Sequence, residues 1–448
     1  MRHGKRSYST WPGQSGQALV LGMLLTGLAL VAFTRFFFTG QVVAARAKQT
    51  HALDAAAYSG ALVQARALNM LAYMNRAQIG HHVAMAHLVT LASWANFAGT
   101  EAQQLATGNP PAYLIAMLFG ADHGAAYLAA SQAVGFSNLA HRYSDLGVAY
   151  SAHDRVIQKI FTSVQNYVAQ SVPNARYNAM LTVLKQNYSN ASTGLDPASE
   201  DGFELTLYDD FWPGFLHRHA GSTLRPFLLH TASLYDFLSP RNKTARNTWA
   251  VDARCPTRRH ELRRRGHTQL DEHGRWQSVD TQSFHALRSN RWIGCYFREY
   301  AMGWGWIPGG ATQSLSDPYV SDPPSDFSSQ DFWRWVKEST DWDIHSGSSN
   351  PLATSKAVAQ PHRWSGGGVQ SYFDIRHPAN PSVGFSARLT YPGPEGLSVK
   401  THSAAEAFFE RPQARRDLRQ ERPNLFRPYW QARLSRSAIS ERGVEVSP

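Results

Sequence analysis

From residue 11 to residue 34 the chain carries no charged side chain, and the apolar stretch 18–33 runs on past Arg35 through Phe36, Phe37 and Phe38. That is close to the length needed to cross the hydrocarbon of a bilayer, so a single transmembrane helix is expected at 17–39. No later stretch is comparably long and apolar. With 43% hydrophobic and 17% charged residues, the chain is neither a multi-pass channel nor wholly disordered. Arg2, Lys5 and Arg6 precede the span. By the positive-inside rule they hold the N-terminus in the cytoplasm and send the bulk of the chain outward, although Arg35, Arg46 and Lys48 pull the other way. A cleaved secretory signal shares this order of basic then apolar residues. Here Phe33, Arg35 and three Phe stand where small residues mark cleavage, which favours a retained anchor.

The span has no evident end. No proline occurs between Pro12 and Pro110, and Ala, Leu and Met dominate, with glycines standing singly at Gly60, Gly80 and Gly99. Such a run supports a long helix, so membrane span and stalk are expected to be one rod. Ala52, Ala56, Ala61, Ala65, Leu68 and Ala72 recur at helical spacing and form a face that can pack closely on another helix. Helical texture resumes from 113 to about 187, with Pro173 expected to interrupt it. Beyond about 191 it gives way to Pro, Gly, Trp and short alternating runs, as in 204–208, 293–300, 370–375 and 383–391, which read as strands.

The expected class is therefore α+β: a transmembrane helix continuing into a helical stalk, then a β-rich, Trp-rich distal domain. The divisions are a cytoplasmic basic segment at 1–16, the span at 17–39, a helical stalk and bundle at 40–190, a β-rich periplasmic domain at 191–410, and an Arg/Pro-rich segment at 411–448 that wraps the surface or frays.

The chemistry-bearing constellations are sparse. His81, His82 and His87 are the best metal candidates, but His82 and His87 stand five apart, and no Glu follows His82 as a zinc hydrolase requires. Interior histidines of a helical bundle are the plainer reading. The Gly-x-Ser-x-Gly, Walker A and dinucleotide glycine patterns are absent, so catalysis has no positive support and no cofactor is called for. The densest basic run is Arg254, Arg258, Arg259, Arg263, Arg264 and Arg265, with Trp249 and Trp276 nearby. Outside the cytoplasm it reads as a solvated loop or a contact with a partner or the envelope, rather than a nucleic-acid site. The chain's two cysteines, Cys255 and Cys295, flank part of this run; in an oxidising compartment they would bridge, and two free thiols are the alternative. Trp292, Trp304, Trp306, Trp333, Trp335 and Trp342 read as distal core, with a carbohydrate platform as the alternative.

Three stretches resemble the TadE/TadG-like proteins of Tad/Flp pilus assembly. The first is Gly16-Gln17-Ala18-Leu19-Val20, leading into the span; the second is Leu53-Asp54-Ala55-Ala56-Ala57-Tyr58-Ser59-Gly60-Ala61, just outside it. The third combines 405–412 with 428–434, similar to the distal end of longer TadG-like envelope proteins. Class III prepilins carry Glu five residues after the cleaved Gly, whereas Leu21 stands there, so a retained anchor is implied. The resemblance implies a non-enzymatic, single-pass protein of the bacterial inner membrane. Its expected partners are other pilus-assembly membrane proteins or pilins, the lipid bilayer and further copies of itself, with no nucleic acid. Asp54, Ala56, Gly60 and Ala61 are the residues expected to pack on partner helices. A minor pilin or surface adhesin, and a membrane-tethered periplasmic hydrolase, are the rival readings.

Overall fold

The computed structural model describes residues 15–108, 110–188, 204–271, 274–291, 294–308, 364, 366–392 and 398–435. Helix α1 spans Ser15–Thr107 without a break. Two short helices follow, α2 (Ala112–Phe119) and α3 (Ala121–Ala129), and then α4 (Asp145–Tyr188) runs back antiparallel along α1. His81 meets Asp154, Asn75 meets Gln165, and Gly60 meets Met180, so the two helices stay paired along much of the stalk.

Pro173 does not end α4, contrary to the sequence expectation. A proline inside a helix removes the N–H that would bond the carbonyl four residues earlier. That carbonyl belongs to Ala169, and the indole N–H of Trp212 donates to it at 3.1 Å. The defect is repaired from outside the helix.

The strands are β1 (Glu204–Tyr208), β2 (Leu216–His219), β3 (Lys243–Arg246), β4 (Glu261–Leu270), β5 (Trp276–Asn290), β6 (Gly294–Ile307), β7 (Tyr372–Ile375), β8 (Ser382–Pro392), β9 (Ser398–Phe409) and β10 (Trp430–Ser435), with helix α5 (Arg225–Ala232) between β2 and β3. They form three antiparallel sheets, ordered β1-β8-β9-β10, β2-β7 and β3-β4-β5-β6.

All three lie against α1, one after another. Ala52, Leu53, Ala56, Ala57 and Ala61 pack with Met180 and Leu184 of α4 and with Phe385, Ala387 and Leu389 of β8. Ala65, Leu68 and Leu71 meet Ile375, Val383, Phe409 and Trp430. Further along, Met85, Ala86, Val89 and Ala92 share a core with Leu228, Trp276, Ile307 and Tyr372. Ile115, Leu118 and Tyr127 close the end over Leu262, Phe284 and Met302.

The fold is thus α+β around one long helix. Among the described residues, the strands latest in sequence, β8, β9 and β10, return to the beginning of the stalk, and residues 430–435 complete the first sheet. Trp304 and Trp306 are buried in the third sheet, whereas Trp292, Trp333, Trp335 and Trp342 lie outside the described residues.

Candidate functional site: a bare span on a covered stalk

Residues 17–41 of α1 are exposed on every side, with Leu19, Phe33 and Phe36 among the most open positions in the chain. At 1.5 Å per residue this bare length is about 37 Å, enough to cross a hydrocarbon core of about 30 Å. Among the described residues, α1 is the one helix long and apolar enough to do so. Its threonine hydroxyls are satisfied within the helix, as a bilayer favours: Thr34 and Thr39 donate to Val31 O and Arg35 O at 2.9 Å, and Thr26 donates to Gly22 O. A contiguous apolar surface of this size needs lipid or another protein to cover it.

Past residue 51 one face of the same helix is covered by its own chain while Tyr58, Met70, Tyr73 and Trp94 stay exposed, and Ala56, Gly60 and Ala61, expected to pack on partner helices, fall on the covered face. Ala56 and Ala61 are fully buried beneath the first sheet. Asp54 Oδ1 accepts the Ser403 hydroxyl at 2.6 Å. A β-carbon at Gly60 would lie 2.9 Å from the Phe385 ring, 3.0 Å from Arg176 Cγ and 3.1 Å from Met180 Cγ. The alanine-rich face exists because small residues let backbones approach closely, but what approaches is α4 and the first sheet, whose β8 and β9 lie more than three hundred positions later.

Amide side chains tie α1 to the first two sheets and to the segments beside them. Gln49 Nε2 donates to Leu389 O at 2.9 Å and Val399 O at 3.0 Å. Asn69 bonds Trp430 twice, donating to its carbonyl at 2.9 Å and accepting its N–H at 3.0 Å. Asn75 Nδ2 reaches Phe373 O and Leu425 O at 2.8 and 2.7 Å, and Gln78 reaches Gln370 O at 3.0 Å. Sequence reading passed over these residues, although amides recurring on an alanine face are a visible signal of strand edges to be satisfied.

Toward the far end, Asp280 is fully buried. It accepts from Ser93 Oγ at 2.8 Å, from Arg241 at 2.8 and 3.0 Å, and from Arg264 at 3.2 Å. The Arg264 guanidinium also lies 3.6 Å over the Phe97 ring. Gly303 and Gly305 on β6 leave room for α1, since a β-carbon at Gly303 would sit 2.9 Å from both Glu101 and Phe97. Glu101 accepts from Gln282 at 3.0 Å, and burial pushes its carboxyl up to about 7 despite the nearby Arg264 charge.

The histidines divide. His81 and His82 are buried, whereas His87 is exposed beside the Phe237 ring. His81 Nε2 lies 3.0 Å from Asp154 Oδ1, and Asp154 also accepts from Gln158 and the Gly367 N–H, each at 2.8 Å. Burial would raise the Asp154 carboxyl, but these hydrogen bonds outweigh it and hold it below its ordinary value. Burial, reinforced by the His81 charge, drives His82 down to about 4. The His81 and His82 rings lie 5.3 Å apart between centroids, and His81 lies 4.8 Å from the His153 ring. Among the described residues no group of three His, Cys, Asp or Glu is placed to hold a metal ion.

Cys255 and Cys295 are joined in a disulfide. The basic run beside them divides: Arg254, Arg258 and Arg259 lie in the loop before β4, with Arg254 and Arg258 exposed, whereas the rest of the run does not read as a solvated loop. Residues 261–265 belong to β4, Arg263 is buried against Glu261 at 2.9 Å, and Arg264 is committed to Asp280. Trp276, a candidate stacking residue, is in the core.

Comparison of the chain with protein-family models, curated proteins and solved structures finds no match.

Proposed function

We propose that this protein is a non-enzymatic, single-span membrane component of a Tad/Flp-type pilus assembly, holding an α+β head outside the inner membrane. The observation that carries this reading is the change along one unbroken helix, bare on every side over residues 17–41 and clad on one face by its own sheets and α4 beyond 51. A scaffold needs an anchor, a rigid spacer and a head, and this arrangement supports those three roles. Arg2, Lys5 and Arg6 favour a cytoplasmic N-terminus, and the disulfide suits an oxidising periplasm. Lateral partners are assigned to the span, where nothing lies within 4 Å of a β-carbon at Gly22, Gly27 or Gly40, and not to Asp54, Ala56, Gly60 and Ala61.

Fractionation of cells carrying a C-terminally tagged copy tests this, with protease added to spheroplasts. Full-length protein in the inner membrane, cut from the periplasmic side, is the expected result. Recovery in sheared surface fibres would make the protein a minor pilin or adhesin, and a shortened soluble form would mean a cleaved signal.

A further inference from the structure

The third sheet presents different chemistry on its two faces. Side chains alternate along a strand, so Leu262 and Arg264 of β4 point toward the α1 and α2 side, while Glu261, Arg263 and Arg265 point away. There they meet Thr244 and Arg246 of β3, Thr257, Arg258 and Arg259 of the preceding loop, and Phe297 of β6, around a cleft of about 400 Å³. Five arginines and one carboxylate line it, and that carboxylate, Glu261, pairs with Arg246 and Arg263 at 2.8 and 2.9 Å.

These guanidinium groups are held in position by the backbone. Arg258 Nη1 donates to Cys295 O at 3.2 Å, directly at the disulfide. Arg259 Nη1 donates to Pro256 O at 2.7 Å and to its neighbour's carbonyl at 2.9 Å. Arg265 donates to Lys243 O and to Thr244 Oγ1, each at 2.9 Å, which leaves that hydroxyl's own proton directed elsewhere. Each guanidinium carries five donors in a planar fork suited to phosphate oxygens, and neither Arg258 nor Arg259 spends its set on these carbonyls.

We propose that this cleft binds a phosphate-bearing anion of two or more negative charges. Its place in the fold limits the source. Thr90 meets Thr268 and Thr100 meets Trp304, so β4 and β6 run past the end of α1 toward the cleft. From residue 41 to residue 100 the helix rises about 90 Å. Phospholipid head groups of the membrane that anchors the chain are therefore out of reach. The phosphate belongs to a soluble or glycan-borne ester in the space beyond, or to a facing membrane.

The full chain, reconstituted in zwitterionic nanodiscs, should bind inorganic pyrophosphate in a calorimetric titration at fixed ionic strength. The double variant Arg258→Ala/Arg259→Ala should lose at least tenfold in affinity with its melting temperature little changed. Should that variant not fold, phenylglyoxal modification of the wild type read by mass spectrometry serves instead, with pyrophosphate expected to protect Arg258 and Arg259. Co-flotation with added phosphatidic-acid vesicles would identify a facing membrane as the source; pyrophosphate binding without it would identify a soluble or glycan phosphate. No pyrophosphate binding, equal binding by the variant, or no protection would overturn the proposal.

Discussion

Gly60 of α1 sits over Arg176 of α4 so closely that a β-carbon on the glycine would come within 3.0 Å of the arginine's Cγ. Arg176 is only 1% exposed, lies 4.5 Å over the Phe385 ring and pairs with Asp210 at 2.9 Å through Nη1. The missing side chain is therefore what lets a buried guanidinium cross between helix and sheet. Gly60→Leu is expected to displace Arg176, Phe385 and Met180 together, destabilising the fold by about 3 kcal/mol. Urea unfolding of the detergent-solubilised chain measures this. Wild-type stability in the variant would mean that the seam is looser than described.

Trp212 supplies the N–H that Pro173 cannot, which gives its indole a role that size alone does not replace. Trp212→Phe keeps much of the apolar contact with Phe215 and Trp430 but leaves Ala169 O without this donor. A buried acceptor deprived of its partner costs about 1–3 kcal/mol. Pro173→Ala restores an intrahelical donor, so the double variant should recover most of that loss. A double-mutant cycle with no coupling would show that the indole contributes by packing alone.

Much of this architecture was legible in the sequence. The proline-free run from 13 to 109 announced the rod, and the alternating stretch 204–208 coincides with β1. What covers the alanine face was not legible, because helix periodicity reports that a face is buried and not by what. Asp54, Ala56, Gly60 and Ala61 were assigned to partner helices for that reason, whereas their neighbours come from β8, β9 and α4. Arg263 and Arg264 misled for a related reason: a run of like charges reads as solvated, and only strand alternation separates the one that meets Asp280 from the one that meets Glu261.

Glu101 makes stability depend on pH with a definite sign. Its carboxyl is raised from 4.5 to about 7 in the folded chain, so across that window the folded state holds a proton that the unfolded state has released. Its contribution is therefore fully present at low pH and is lost as pH rises to about 7, a change on the order of 3 kcal/mol. Glu101→Gln keeps an acceptor for Gln282 without the charge. Relative to the wild type, it should gain several degrees in melting temperature on moving from pH 5 to pH 8. A difference that stays constant between the two would count against this account.

The Cys255–Cys295 bridge closes a loop of 40 positions. By the entropy that such a closure removes from the unfolded chain, it contributes about 4 kcal/mol. The double substitution Cys255→Ser/Cys295→Ser should lower the urea midpoint accordingly, and reductant should bring the wild type to the same value. It should also loosen Arg258, whose carbonyl acceptor belongs to Cys295.

The separation between Gln49 and the Val399 carbonyl it holds is 350 positions. At about 5–20 residues per second, translation needs roughly 20–70 s to travel that far. Throughout that interval the stretch of α1 from Gln49 to Ala61 is made but lacks the β8–β9 pair it lies against. Loop closure over such a distance is slow compared with helix formation. The rod is thus the first element delivered and the last one finished, and maturation of the head is timed by the arrival of the chain's final strands.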